Sequence, residues 1–360
     1  SKGFIFDSSG SSIFLKDWEI ILAYLCSNVS FYFLKALAPT VNFTVGDISK
    51  LPIPSLSSAE KNELIILSRS CVEIVKEDWD SYEISWDFKI TRTLYSKEND
   101  FSKAVEDQIR SQNEKRNLLK INEEKINEVL IDNFKLEDSV KKNVKERDLS
   151  IKILSKKEVC FEFISFAVGC MFGRYSLEKP GLILANQGDS LEDYLNKIPN
   201  PSFFPDDDNV IPILELDWFE DDITARFKKF LKITFSDETF EENLRFIENS
   251  IGKDIRKYFL NDFYKDHVQT YKKRPIYWMF SSPKGSFNAL IYLHRYQKDT
   301  VSILLEKYLR EFLLKLRAEK NTLERLEISS NSSSLEKTRA TKNIEKIDSI
   351  LMELQNWEKE

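Results

Sequence analysis

Between Lys265 and Lys298 the chain sets seven Lys/Arg against one acid, Asp266, and interleaves them with seven aromatic residues. The segment is strongly basic inside a chain whose formal net charge is −6. Cations set among rings suit a nucleic-acid surface, because Lys and Arg displace counterions from phosphates while rings pack on sugars and bases. Lys272, Lys273 and Arg274 precede an apolar run and are candidates to anchor successive phosphates. Lys284, Ser286 and Asn288 lie on or just after a turn, SSPKGS, with side chains suited to base edges or phosphates, or to ordinary turn chemistry. His294 and Arg295 end the next apolar run; Arg295 either bridges a guanine or pairs with an internal carboxylate. Tyr277 and Trp278 alternate in a strand-like run, which places at least one of them inside. A second candidate set is Asn42, Thr44 and Lys50, with Gly46 and Asp47 assigned to a turn and a local cap.

Other chemistry is poorly served. The four cysteines, Cys26, Cys71, Cys160 and Cys170, have no C-x-x-C spacing, and the only histidines, His267 and His294, are remote from any cysteine pair. Reduced, buried thiols are expected and no metal site. The stretch Asp206 to Asp222 holds eight acids and no base. It lacks the glycine of a calcium loop, with Ile211 at that place, and no E-x-K element follows for a nuclease. A solvated acidic surface is expected there, with a basic protein partner as the sharper reading.

The elements that must position these residues follow from periodicity. Residues 1–55 read as a short α/β piece: one apolar helix over Trp18–Leu37 stopped by Pro39, then a strand in which Val41, Phe43 and Val45 alternate with Asn42 and Thr44. Residues 56–150 read as a helical spacer, entered with Ser58 as cap and interrupted around Asp78–Phe88. Residues 151–300 are mixed α+β, with a buried helix over Phe161–Tyr175, a proline-rich loop over Pro199–Pro212, and strands at Ile276–Met279 and Ala289–Tyr292 joined as a hairpin. Residues 301–360 form a helical hairpin, its return helix opened by a Ser333/Glu336 capping box. The apolar runs Trp18–Cys26 and Phe163–Phe172 fall short of the roughly 18 residues a membrane span requires. With no secretory signal pattern in its opening residues, the chain is expected to be cytoplasmic and without a membrane partner.

KKRPIYWMFSSPKGSFNALIYLHRY (Lys272–Tyr296) resembles the C-terminal part of the PglX family, the adenine-specific DNA methyltransferases of BREX phage-defence systems, and related fused restriction-methylation enzymes. LKALAPTVNFTVGDISKLPIP (Leu34–Pro54), NEEKINEVLIDNFKLEDSV (Asn122–Val140) and FAVGCMFGRYSLEKPGLILA (Phe166–Ala185) are similar to the same enzymes, in the same order. The resemblance implies an α+β class, with target-recognition-like α/β pieces joined by long helices and an antiparallel helical hairpin at the end. It also implies methyl transfer from S-adenosylmethionine to adenine N6, with double-stranded DNA, the enzyme's own N-terminal methyltransferase domain and other BREX proteins as partners. Such enzymes hold the target base with an [N/D/S]-P-P-[aromatic] tetrapeptide and the cofactor with a glycine turn. This chain has no Pro-Pro dipeptide, and none of its nine glycines are two residues apart. No catalytic residue and no cofactor are therefore expected in it; S-adenosylmethionine is expected in an N-terminal domain. DNA recognition and positioning is the leading expectation. The alternatives are a protein-interaction scaffold and part of a fused restriction-methylation enzyme.

Overall fold

The computed structural model describes residues 12–14, 16–38, 43–96, 98–329 and 332–359. The chain divides into two units, residues 1–80 with 109–154, and residues 81–108 with 155–360. The expected segments 1–55 and most of 56–150 fall in the first; 151–154 aside, 151–300 and 301–360 share the second.

The first unit is helical: α1 (Trp18–Leu25), α2 (Asn28–Leu37), α3 (Val45–Ile48), α4 (Ser58–Asp80) and the part of α5 (Phe101–Phe134) from Ile109 onward. The single helix expected over Trp18–Leu37 is two. The Ser27 hydroxyl accepts from the Ser30 N–H at 3.2 Å and donates to the Tyr24 carbonyl at 2.6 Å, capping α2 while closing α1. The expected strand around Val41–Val45 is also corrected. Val45 opens α3 because Thr44 and Asp47 form a reciprocal capping box, a local bonding gain that outweighs alternation. Gly46 lies inside that turn of helix, and Val41 and Asn42 lie outside the described residues. Ser57, not Ser58, caps α4, exchanging bonds with Glu60. Tyr24, Val29, Leu64 and Leu130 fill the main core, and Ile74, Leu119, Leu149 and Ile151 a smaller one. Among the described residues no single helix is long and apolar enough to cross a membrane.

The second unit carries α6 (Lys156–Met171), α7 (Leu191–Lys197), β1 (Ile211–Pro212), α8 (Ile223–Phe235), α9 (Phe240–Ile251), α10 (Ile255–Asn261) and α11 (Phe263–Thr270). Then come β2 (Tyr277–Ser281), β3 (Asn288–Tyr292), α12 (Thr300–Ile303), a π-helical turn Leu304–Leu309, α13 (Arg310–Ile328) and α14 (Ser334–Trp357). Helix α6 opens on a Ser155/Glu158 capping box and is buried almost all round, its Phe163 packed in tilted and edge-to-face contacts among Phe101, Phe227, Phe230 and Phe235. The sheet is antiparallel in the order β1-β3-β2, with Pro212 on the short edge strand, where a missing N–H costs least. The class is α+β.

Both faces of β3 are covered. Phe287, Ala289 and Ile291 pack against Tyr308, Phe312 and Leu316 of the terminal helices and against Ile347, Leu351 and Leu354 of α14. Tyr292 points the other way, toward Arg174. The Ser333/Glu336 box does open α14, and the apolar seam of the helical hairpin seats on the sheet.

Candidate nucleic-acid interface

The basic segment runs from α11 through the β2–β3 hairpin to the turn beyond it, and two buried polar anchors hold the hairpin. At its base, Arg174 donates to Tyr175 Oη at 3.0 Å and to Tyr292 Oη at 3.1 Å, while Glu83 accepts from Tyr271 Oη at 2.9 Å. Glu83 and Arg174 lie 3.9 Å apart, so the cation is balanced inside a cage of tyrosines. Next to it, His267 Nε2 accepts from the backbone N–H groups of Ile276 at 3.1 Å and Tyr277 at 3.2 Å, fixing the start of β2. Only a neutral imidazole can accept there, and burial, reinforced by Arg174, pulls the His267 pKa down to about 4.

At the tip, Glu353 of α14 takes hydrogen bonds from Ser282 Oγ at 2.6 Å, the Lys284 N–H at 2.7 Å and Ser286 Oγ at 2.5 Å. Burial pushes the Glu353 carboxyl up, but these donors together outweigh it and hold the group below its usual range. Asn288 closes the same turn, accepting from Ser281 Oγ and donating to the Gly285 carbonyl at 3.0 Å. Gly285 has φ +74°, which the tight turn requires.

Around these anchors, charge is presented to solvent. Lys265, Lys272, Lys273, Arg274, Lys284 and Lys298 are exposed, and among the described residues none of the six has a carboxylate partner. Lys272 and Lys273 sit at φ +50° and +64°, two consecutive left-handed residues after α11, where each non-glycine costs about 1–2 kcal/mol. The Lys273 N–H bonds back to the Val268 carbonyl at 2.8 Å, locking that geometry. Of the two central aromatics, Tyr277 is fully buried and Trp278 stands 49% exposed on the outer face of β2.

Four of the expected contact residues, Arg295, Ser286, Asn288 and Thr44, are occupied internally. Arg295 is 4% exposed and donates to the carbonyls of Phe172, Asp206 and Asp207, so it clamps loops instead of reaching a guanine or a carboxylate. Ser286 and Asn288 serve the turn as described. His294 is half-buried against the Tyr292 ring, and its pKa is lowered by burial and Arg174. In the first unit, Thr44 is engaged in its capping box, Lys50 is exposed, and Asn42 lies outside the described residues. Sequence reasoning missed Glu83, Arg174 and Glu353; each acts across at least 67 residues of chain, and no local pattern marks them.

The acidic stretch is only in part the solvated surface expected: Asp207, Glu215, Asp217 and Glu220 are exposed. Asp206 and Asp222 are buried. Asp222 caps α8 through the Thr224 N–H at 2.9 Å and pairs with Arg256 at 3.1 Å. Asp206 faces Arg226 at 3.7 Å, and Tyr308 Oη bonds both Asp208, at 3.1 Å, and Asp221, at 2.6 Å. Burial raises the Asp206 carboxyl against the pull of Arg226, with Asp208 adding to the rise. Oxygens of Asp206, Asp207 and Asp208 lie within 4.8 Å of one another, but Arg226 and Lys307 already pair with them. The cysteines are all free thiols; Cys160 and Cys170 are buried as expected, whereas Cys26 is exposed.

No protein-family model matches the chain. It is 38% identical over 326 residues to the adenine-specific methyltransferase PglX of Lacticaseibacillus casei (strain Zhang), covering 85% of this chain and 26% of that protein. It is 32% identical over 357 residues to the adenine-specific methyltransferase BrxX of Escherichia coli O9:H4 (strain HS), covering 88% of this chain and 29% of that protein. The chain thus spans between a quarter and a third of the length of these curated relatives.

Proposed function

Because the chain matches part of a larger BREX methyltransferase, we propose that it binds and positions duplex DNA for site-specific methylation of adenine N6. The observation that carries this reading is the set of six exposed cations between Lys265 and Lys298, without a carboxylate partner among the described residues, set on α11, on the turn after it, at the tip of the anchored β2–β3 hairpin and just beyond β3. Unpaired cations keep their counterions to release to phosphates; paired ones do not. Trp278 on the same hairpin offers a ring to a sugar or base. In this reading Lys272, Lys273, Arg274 and Lys284 hold the backbone, with Lys50 as a contact from the first unit. Methyl transfer from S-adenosylmethionine, with the adenine flipped out of the stack, is assigned to residues of the whole enzyme outside this chain, acting in the cytoplasm.

Titration of the chain into a fluorescently labelled random-sequence duplex at several salt concentrations tests the proposal. Binding that weakens linearly in log K against log salt is expected. A chain that binds no duplex even at low salt overturns the reading and leaves protein docking as the role of this region.

A further inference from the structure

The first unit contains a groove of about 520 Å³ that DNA binding does not use. Its walls are a stripe on α1, Leu22 and Cys26, and a stripe on α4, Ser68, Val72 and Val75; its floor is Leu119 and Ile126 of α5. The α1 stripe continues outward through Trp18, which is 44% exposed, and Leu22 and Val72 also stand partly in water. Ser27, Asn127 and Ser150 join Ser68 in lining it, and two charged groups reach it: Lys76, which pairs with Asp80, and Glu123. Glu123 of α5 reaches the groove between Cys26 and Cys71, and among the described residues it has no hydrogen-bond or ion-pair partner. Burial raises its pKa, and its charge in turn adds to the rise that burial imposes on the Cys26 and Cys71 thiols.

An unpaired carboxylate in an apolar trough is unfavourable in isolation, and it is relieved by a cation that arrives with apolar flanks. The trough also has length. From Ser68 to Trp79, both lining residues, α4 runs three turns, about 16 Å at 1.5 Å per residue. That matches the apolar face of a short helix and exceeds a small ammonium compound, which would leave Leu22 or Val72 uncovered. We propose that the α1/α4/α5 groove of the first unit docks an amphipathic helix of a protein partner whose apolar face carries one Lys or Arg, paired with Glu123. Such a site goes beyond the DNA-binding role and stands or falls independently of it.

The test uses the full chain and fluorescein-labelled helical peptides of about four turns. Each presents a leucine stripe with Arg, Gln or Glu at its centre. The Arg peptide should bind roughly tenfold more tightly than the Glu peptide, a difference of about 1.4 kcal/mol. Glu123→Gln should abolish that preference, and Glu123→Lys should reverse it, which separates pairing from a folding defect. Bound Arg peptide should also slow maleimide labelling of the exposed Cys26. Equal affinity for the three peptides, or undiminished Cys26 labelling at saturating peptide, would overturn the proposal.

Discussion

The acidic stretch Asp206–Asp222 and the basic segment Lys265–Lys298 belong to one folding unit and carry opposite charge, yet the fold treats them differently. Seven of the eight acids have partners within the protein; Glu220 is the exception. Among the described residues none of the seven bases has a carboxylate partner; six face water, and Arg295 is turned inward onto backbone carbonyls. Charge in a sequence is therefore not charge on a surface. A carboxylate stretch that cross-links α8, α10 and the π-helical turn is architecture, whereas cations without a carboxylate partner among the described residues, set on and around an anchored hairpin, are available to a ligand.

Perturbing the architectural side should cost most. Asp222→Ala removes the α8 cap and the buried one of the two carboxylates that pair with Arg256, leaving it the exposed Asp217, so urea unfolding should report a loss of about 3–5 kcal/mol. Acid should weaken the hairpin base through His267. Its folded pKa is depressed to about 4 from 6.5, so its contribution is intact above pH 6.5 and is lost as pH falls toward 4, amounting to about 3 kcal/mol in thermal or urea unfolding across that window. His267→Gln should flatten that pH dependence. Glu353→Ala leaves the Ser282, Lys284 and Ser286 donors at the tip unmatched, and a loss of about 1–3 kcal/mol in the same unfolding measurement is expected. Lys273→Gly relieves a left-handed lysine at the cost of chain entropy, so its melting free energy should stay within about 1 kcal/mol of the parent while duplex affinity falls. A large stability loss in that variant would move Lys273 to the architectural side.

Much of the frame was legible where bonding is local. The Ser333/Glu336 box, the hairpin across SSPKGS, the cap role of Asp47 and the buried helix, expected over Phe161–Tyr175 and found over Lys156–Met171, are all written within a few residues. Local competition also explains the misses. The alternation ending at Val45 yields to the Thr44/Asp47 box, and the apolar run Trp18–Leu37 breaks at Ser27 because a hydroxyl there caps better than the helix continues. The candidate site was legible as composition and not as orientation. Lys272 and Arg295 look equally available in the sequence, and only the approach of the Phe172, Asp206 and Asp207 carbonyls, about 90 to 120 positions away, turns Arg295 inward.

The central claim is that the unpaired cations after α11 meet phosphates. The most direct measurement is the salt dependence of duplex affinity for the Lys272→Ala, Lys273→Ala, Arg274→Ala triple variant beside the parent chain. The slope of log K against log salt should flatten by roughly 0.9 for each phosphate contact removed, equally on unrelated sequences and with the melting temperature retained. An unchanged slope in a folded variant would contradict the account, because cations that touch no phosphate release no counterions.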